Sequence, residues 1–277
     1  MPTDAVTTTD TTTPATWRGA DLGTRTVAYD ERDAILYALA VGARATDLDL
    51  VFEERLRVLP TFALTLAQWA PDALGALGAF DTKTALHGSQ SLEVRAPLPR
   101  SGSITMNARV GEVWDKGRAA VFEVVVESEF FVATWSLFAP GAGGFGGERG
   151  PSAPGHPDGE PDSAGTLATH AEQAVLYRLT GDRHHIHIDP EAAARIGQPR
   201  PILHGLCTLA ATTLPLARML GAHPADLTAL SGRFAAPVFP GDVAEIRAWG
   251  GAGDVRFDVA TDAGAVLSGG HAVFAER

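Results

Sequence analysis

An acid and an imidazole stand five residues apart in the segment from 181 to 187, GDRHHIH. Asp182 and His187 are residue types that take up and return protons in enzyme active sites, and two more histidines, His184 and His185, lie between them. A carboxylate and an imidazole that meet over one bound molecule can hold a water between them and deprotonate it. The segment therefore predicts general acid–base chemistry.

A metal site is the alternative interpretation of the same segment. His184, His185 and His187 form a compact cluster of the residue type that most often binds transition metals. We expect no metal, because neither a cysteine nor a second carboxylate stands at a convincing ligand spacing from them. Taken alone, Asp182 is also consistent with a turn aspartate that bonds its own backbone, and His187 with a buried, hydrogen-bonded histidine.

The flanking sequence predicts a tight loop between two ordered elements. Residues 175–179, VLYRL, are typical of a short strand that enters the loop. Asp189 is the expected N-cap of a helix that leaves it, with Pro190 as first helical residue and Gly197 as the C-terminal stop. Such loops commonly hold the side chains that perform chemistry.

An apolar helix is predicted over residues 206–220, directly after Gly205 and ending at Gly221. Because it is apolar nearly all round it should be buried, and Pro215 inside it predicts a kink or a break. The first N–H groups of a helix have no intrahelical acceptor, and a glycine there lets an oxygen approach closely. The start of this helix is therefore a candidate site for a developing negative charge.

The rest of the chain reads as two similar halves. Helices are predicted at 31–41, capped by Asp30, and at 62–69, ended by Pro71. Strands are predicted at 25–29, 86–94, 103–114, 118–128, 130–138, 231–236, 242–250, 255–261 and 266–274, with Asp115-Lys116-Gly117 as a hairpin turn.

Each half carries a Leu-His-Gly sequence, at 86–88 and at 203–205, which suggests a duplicated unit. The expected form is an antiparallel sheet wrapped round a buried helix, made twice and joined edge to edge. We predict a disordered tail (residues 1–17), an N-terminal domain (18–140), a Gly/Pro-rich linker (141–165) and a C-terminal domain (166–277).

Composition narrows the function further. The chain has 277 residues, 45% of them hydrophobic, which is enough for a large core. A net charge of −11 without a run of Lys or Arg makes a nucleic-acid partner unexpected. No apolar run approaches the ~20 residues that span a bilayer, so no membrane association is expected. The single cysteine, Cys207, excludes an internal disulfide and suits a reducing compartment, and we predict a cytoplasmic protein.

A known family pattern runs through the acid–imidazole segment: an aromatic residue, then Leu-Ser/Thr-Gly-Asp-x-Asn-Pro-Leu/Ile-His-x-Asp-Pro. Tyr177, the LTGD of 179–182, the IH of 186–187 and the DP of 189–190 match it in register. The chain thus resembles the MaoC-like, (3R)-specific enoyl-CoA hydratases of the hydratase 2 type, which include the hydratase domain of peroxisomal multifunctional enzyme type 2. The resemblance implies an α+β, double hot-dog fold with an acyl-CoA substrate between the halves.

The resemblance also implies roles for individual residues. Asp182 and His187 would hold and deprotonate the water, with Asp182 as principal base or with the assignment reversed, and Gly205 would bind the thioester oxygen. His184-His185 replace the family's Asn-Pro, and that Asn belongs to the catalytic set, so the replacement bears on substrate choice and rate. The residues expected to bind substrate are His87, Gly88, Lys116, Arg183 and Phe234, with Phe62 and Leu66 in the acyl tunnel.

The expected activity is that of a lyase in fatty acid metabolism: reversible hydration of trans-2-enoyl-CoA to (3R)-3-hydroxyacyl-CoA. Coenzyme A is then part of the substrate, and no separate cofactor is expected. The alternatives are a dehydratase for a specialised or carrier-protein-bound acyl group, a hot-dog thioesterase, and a non-catalytic acyl-CoA binder. A homodimer is a further possibility, although a double hot-dog already completes one unit. His204 is expected to be scaffolding at the helix entry.

Overall fold

One continuous antiparallel sheet organises the computed structural model, which describes residues 13–152 and 155–275. Its ten strands within those residues are β1 (Asp21–Tyr29), β2 (Leu86–Val94), β3 (Gly102–Asp115), β4 (Ala119–Glu127), β5 (Phe131–Pro140), β6 (Ser163–Ala168), β7 (Leu227–Phe234), β8 (Val243–Gly251), β9 (Asp254–Thr261) and β10 (Gly264–Phe274). The predicted strands of both halves, apart from residues 175–179, are present with small shifts of their ends.

The strand order divides the sheet into two five-stranded halves. It runs β1-β3-β4-β5-β2-β7-β10-β9-β8-β6, so the first five positions come from the N-terminal half and the last five from the C-terminal half. The halves join through β2 and β7, from Ser89 opposite Arg233 to Glu93 opposite Ala229. This is the edge-to-edge joining of two wrapped units that the duplicated pattern predicts.

Seven α-helices accompany the sheet in the described chain: α1 (Glu31–Ala40), α2 (Leu48–Val51), α3 (Phe62–Leu66), α4 (Trp69–Ala76), α5 (Gln173–Tyr177), α6 (Pro190–Arg195) and α7 (Gly205–Met219). Two N-caps are as predicted. The Asp30 carboxylate accepts the Asp33 N–H at the start of α1, and the Asp189 carboxylate accepts the Glu191 N–H at the start of α6.

The long helix α7 is the buried helix of the C-terminal half, and eleven of its fifteen residues are buried. Of the kink or break predicted at Pro215, the break is absent, since α7 runs as one helix from Gly205 to Met219. A proline inside a helix costs about 3 kcal/mol, and burial of apolar side chains such as Leu209 and Leu214 offsets a cost of that size.

The corresponding helix of the N-terminal half is divided. The predicted single helix over 62–69, stopped by Pro71, is wrong, because α3 ends at Leu66 and α4 starts at Trp69. Pro71 is the third residue of α4, where a backbone N–H has no intrahelical partner to lose.

The predicted strand over 175–179 is also wrong, since α5 and a 3-10 turn at Arg178–Thr180 occupy this segment. Ala174 and Tyr177 are buried while Val175 and Leu179 are exposed, and this spacing of three is helical. The helix packs against α1 of the other half, so tertiary contact rather than local alternation decides its form.

The predicted tail and linker contain some ordered structure. Residues 1–12 lie outside the described residues, but Pro14–Trp17 form a 3-10 helix, and Trp17 packs against the core. Within the predicted linker, β6 already begins at Ser163 and pairs with β8. Among the described residues no helix combines the length and apolar character needed to cross a membrane.

Candidate active site

Asp182 and His187 lie side by side where the two halves meet. Asp182 Oδ2 is 3.9 Å from His187 Nε2, with 28% of the Asp182 side chain and 8% of the His187 side chain exposed. The other carboxylate oxygen, Oδ1, accepts the His184 N–H at 3.0 Å, which closes the loop and aims Oδ2 at the imidazole. The predicted acid–imidazole pair is therefore assembled in space.

The tautomer of His187 follows from its second nitrogen. Nδ1 is 2.9 Å from the carbonyl oxygen of Ile202, and because a carbonyl only accepts, Nδ1 carries the proton. Burial lowers the pKa of His187, although the Ile202 carbonyl and the Asp182 charge act in the opposite direction. In the neutral ring Nε2 is then an acceptor that faces a second acceptor, Asp182 Oδ2. A water that donates one hydrogen to each fits between two such groups.

Gly205 lies at the start of α7 and its N–H has no intrahelical acceptor. A Cβ added to Gly205 would be 3.1 Å from Cδ1 and Cε1 of Phe234, so the ring of this residue packs closely over the helix start. The Phe234 ring lies in turn 4.7 Å from the ring of His87. Three residues predicted from the two halves thus come together beside the helix N-terminus.

The environment of His87 connects this group with the carboxylate. Its Nε2 donates to the Ser89 carbonyl oxygen at 3.1 Å. Burial lowers the pKa of His87 to about 4, and the negative charge of Asp182 opposes that shift. The two side chains therefore interact electrostatically. Beside it, a Cβ at Gly88 would be 3.3 Å from the Ser136 carbonyl oxygen, which leaves little room for a larger residue.

Three other predicted site residues, Lys116, Arg183 and His184, make fewer contacts with the acid–imidazole pair. Lys116, in the β3–β4 turn, donates a hydrogen bond to the carbonyl of Arg149 in the segment after β5. The side chains of Arg183 and His184 are exposed. The ring of His184 lies 6.3 Å from that of His187, and its Nδ1 accepts the Ile186 N–H at 3.4 Å.

Two N–H groups of the glycine run 143–147 bind a carboxylate of the same chain. The Asp115 carboxylate accepts the N–H groups of Gly117, Gly144 and Gly146 at 2.8 to 2.9 Å. These bonds, that from Gly144 first, lower the pKa of Asp115 to about 2. The glycine run therefore binds the Asp115 carboxylate and folds back on the β3–β4 hairpin, which carries Lys116.

A small cavity opens between the halves beside the catalytic loop. It has a volume of about 160 Å³ and includes Leu179 and Thr180, which directly precede the loop. Its N-terminal wall is mainly apolar and contains the predicted acyl-tunnel residues Phe62 and Leu66. Its lining is completed by Val27, Ala28, Tyr29, Asp33 and Leu36.

Sequence reasoning missed Asp72, on α4 of the other half. Desolvation, followed by the charge of Asp182, raises the pKa of Asp72, while His184 and Arg25 oppose the shift. Sequence reasoning also missed Thr65, whose Cγ2 would lie 3.1 Å from a Cβ at Gly181. No local pattern marks either residue, because both reach the site only through the packing of the two halves.

The side chains of Asp182, His187 and His204 offer ligand atoms within 4.8 Å of one another. The rings of His187 and His204 are stacked, with centroids 3.6 Å apart and planes at 24°. Lone pairs on stacked rings run side by side, whereas a tetrahedral ion needs them to converge. The arrangement suits acid–base chemistry better than metal binding.

Comparison with known proteins gives the family. Residues 27–132 match the MFE-2 hydratase 2 N-terminal domain and residues 152–268 match the MaoC like domain. The chain is 39% identical over 238 residues to the 3-hydroxyacyl-thioester dehydratase Y of Mycobacterium tuberculosis, covering 80% of this chain and 82% of that protein.

Two solved structures extend the comparison. A MaoC-like dehydratase from Phytophthora capsici superposes with a TM-score of 0.83 at 28% identity, covering 95% of this chain and 98% of that one. A Mycobacterium tuberculosis protein described as a double hotdog has a TM-score of 0.58 at 16% identity, covering 93% of this chain and 96% of that one. The latter likeness shows the fold alone, and it confirms the predicted double hot-dog. The chain belongs to the MaoC-like hydratase 2 family, the family of the hydratase domain of peroxisomal multifunctional enzyme type 2.

Proposed function

We propose that the protein catalyses the reversible hydration of trans-2-enoyl-CoA to (3R)-3-hydroxyacyl-CoA. The observation that carries the proposal is the pair of acceptors Asp182 Oδ2 and His187 Nε2, 3.9 Å apart. The tautomer of His187 is fixed by the Ile202 carbonyl, so both atoms can accept a hydrogen bond from one water.

The proton transfers of the chemical step involve this pair, one water and the substrate. The water held between Asp182 and His187 forms a C–O bond at the β-carbon, while the π electrons of the double bond move toward the thioester as an enolate. Asp182 takes the proton of the water, and the pair returns a proton to the α-carbon on the same face. His187 stays neutral at physiological pH because burial lowers its pKa, so it remains able to orient the water.

The enolate oxygen needs a fixed donor, and the N–H of Gly205 at the start of α7 supplies one. The partial positive charge of a helix N-terminus adds to the stabilisation. Loss of one such donor typically raises the barrier by about 3 kcal/mol, or roughly a hundredfold in rate. In this arrangement the thioester oxygen approaches the N–H of Gly205 beside the ring of Phe234, which packs over the start of α7.

The cavity beside Phe62 and Leu66 would take the acyl chain. At about 160 Å³ it holds roughly five water-sized volumes of ~30 Å³ each, which suits a short chain without rearrangement. The rings of His87 and Phe234 would form the wall beside the reacting carbons. Lys116 as a point charge and Arg183 as a planar fork of donors would meet the phosphates of coenzyme A, and no further cofactor enters the scheme.

The dehydration direction is a second candidate, favoured by the name of the mycobacterial relative, a 3-hydroxyacyl-thioester dehydratase. The same side chains serve both directions, since a catalyst accelerates a reaction and its reverse equally. What differs is the carrier and the acyl group. The exposed His184, at the position of the family's Asn, is the residue of the loop that would distinguish them.

Purified protein incubated with crotonyl-CoA tests the proposal through loss of the conjugated enoyl absorbance. The product is then offered separately to a (3R)- and a (3S)-specific 3-hydroxyacyl-CoA dehydrogenase, and only the former should oxidise it. Parallel reactions with a carrier-protein thioester identify the preferred carrier. Release of free thiol without a hydroxyacyl product would instead identify a thioesterase, and binding without any turnover would contradict an enzyme.

The cytoplasmic location and the homodimer belong to the same proposal. The buried free thiol of Cys207 suits a reducing compartment, and fluorescence of a tagged chain tests the location. The mass in solution tests the assembly, where a monomer would mean that the two joined halves suffice.

A further inference from the structure

His204 joins the three groups that the proposed reaction uses. It immediately precedes Gly205 as the N-cap residue of α7. Its Nε2 lies 3.1 Å from the carbonyl oxygen of Asp182, and its ring stacks on His187 with centroids 3.6 Å apart. The His204 side chain therefore contacts both the loop that carries Asp182 and the imidazole of His187. Its backbone directly precedes Gly205, whose N–H would bind the enolate oxygen.

The protonation of this ring is defined by its partners. The Asp182 carbonyl only accepts, so Nε2 of His204 carries a hydrogen and donates it. Nδ1 is buried and has no hydrogen-bond partner among the described residues. The residue is 2% exposed, and burial, followed by the neighbouring His187, lowers its pKa to about 3. The ring is therefore neutral throughout the range in which enzymes of this kind are assayed.

Helix capping does not account for the residue. The side chain of His204 makes no capping hydrogen bond to α7, and the residues that cap best are Asn, Asp, Ser and Thr. It points instead to a carbonyl that lies 22 positions earlier in the chain. A second ring, that of Tyr177, packs 4.8 Å from it and holds it in place.

We propose that His204 is a positioning residue with two separable tasks, which rest on the proposed hydratase function. Its Nε2–H bond anchors the Asp182 loop to the start of α7, so that the base and the Gly205 N–H stay in register across the substrate. Its ring covers one face of His187 and keeps water away from that face.

Two variants separate these tasks. His204→Gln keeps a donor that can reach the Asp182 carbonyl but removes the aromatic cover. His204→Phe keeps a ring of similar size in the stack but removes the anchor. The ring of His204 is faced by Asp182, Arg178 and Tyr177. The ring of His187 is faced by Asp182 and His184. Neither variant changes any of these neighbours.

The anchor is tested by kinetics with an enoyl-CoA. A misplacement of about 1 Å can cost about a hundredfold in rate, and we expect a fall of that order in kcat for His204→Phe, with little change in KM. We expect His204→Gln to retain kcat within about tenfold of the wild type when assayed above the acid limb. Thermal unfolding of both variants checks that the loss does not follow stability.

The ring cover is tested by pH. Loss of the cover in His204→Gln should solvate His187 and raise its pKa, which moves the acid limb of kcat/KM to higher pH, whereas His204→Phe should leave the limb in place. The ¹⁵N titration of His187 without substrate gives the same comparison independently of turnover. An inactive wild type would refute the proposed function, while this titration would still decide the role of His204. Variants that behave alike in both tests, or a reversed pattern, would overturn the proposal.

Discussion

Replacing Gly205 by alanine places one methyl group next to the N–H that the thioester oxygen approaches in the proposed reaction. The new Cβ would be 3.1 Å from Cδ1 and Cε1 of Phe234, closer than the optimal carbon–carbon separation of about 3.5 to 4.0 Å. The ring must therefore shift by a few tenths of an ångström away from the new methyl group. The backbone N–H remains, but the methyl group and the displaced ring keep the substrate oxygen from hydrogen-bonding distance.

The expected magnitude follows from the lost hydrogen bond. Removal of an oxyanion donor costs about 3 kcal/mol of barrier, so kcat for crotonyl-CoA should fall by roughly a hundredfold. Folding should be nearly unaffected, because alanine is favoured over glycine in a helix by up to about 1 kcal/mol, which offsets the strain against Phe234. Thermal unfolding measured beside the kinetics separates the two effects.

Two control variants sharpen this test. Gly251→Ala adds a methyl group where no atom lies within 4 Å, and it should leave both kcat and stability unchanged. In Gly205→Ala combined with Phe234→Leu the crowding by the ring is relieved while the methyl group stays beside the N–H, so the rate should remain well below that of Phe234→Leu alone. A Gly205→Ala enzyme with wild-type kcat would refute the assignment of Gly205 as the oxyanion donor.

Four further outcomes are expected. Because burial lowers the pKa of His187, the acid limb of kcat/KM should lie below the ordinary histidine value of about 6.5, and a limb at or above that value would contradict a buried neutral base partner. Burial also lowers the pKa of His87 to about 4 and that of His204 to about 3, so below about pH 6.5 the unfolded chain binds more protons than the folded chain. The free energy of unfolding in urea should therefore be highest above about pH 6.5 and should fall as the pH drops toward 4. A urea midpoint that does not change with pH would contradict this. Leu66→Trp should fill the cavity and slow longer enoyl-CoAs more than crotonyl-CoA in a chain-length series, and equal effects on all chains would place the acyl group elsewhere. Asp115→Asn should weaken the hydrogen bonds from the glycine run and lower the melting temperature, while crotonyl-CoA turnover persists. An unchanged melting temperature would show that the carboxylate is not needed to hold this loop.

Features that depend on neighbours in sequence were predicted well. Asp30 and Asp189 cap their helices, because an aspartate directly before an amphipathic or alanine-rich helix can accept a backbone N–H of the first turn. The turn at residues 115–117 joins β3 and β4 for a similar reason, since Gly117 adopts a positive φ of 87°. The division of the chain into two similar halves was visible from the order of elements alone.

Features that depend on the other half of the molecule were not predictable. Residues 175–179 look like a strand locally, and they are helical because α5 must pack Tyr177 against α1. Asp72 gave no signal because its relation to Asp182 exists only after the halves join. The stacking of His204 on His187 likewise needs two segments to fold together.

The acid–imidazole pair itself was found from sequence through residue type, spacing and family resemblance. The sequence did not specify the His187 tautomer, which is set by a carbonyl 15 positions away, that of Ile202. Nor did it indicate that Oδ1 of Asp182 would be occupied by the His184 N–H, leaving Oδ2 for the water. The chemistry was therefore predictable in outline, and its geometry was not.

The hydration rate of Asp182→Asn shows whether the Asp182 carboxylate deprotonates a bound water. The substitution preserves size, and its amide oxygen can still accept the His184 N–H, but it places an NH₂ donor where Oδ2 must accept from the water. General base catalysis contributes up to about 10⁴-fold, and we predict a loss in kcat of about a thousandfold or more with an unchanged melting temperature. Turnover of crotonyl-CoA by this variant within about tenfold of wild type would contradict a water held and deprotonated by Asp182 and His187.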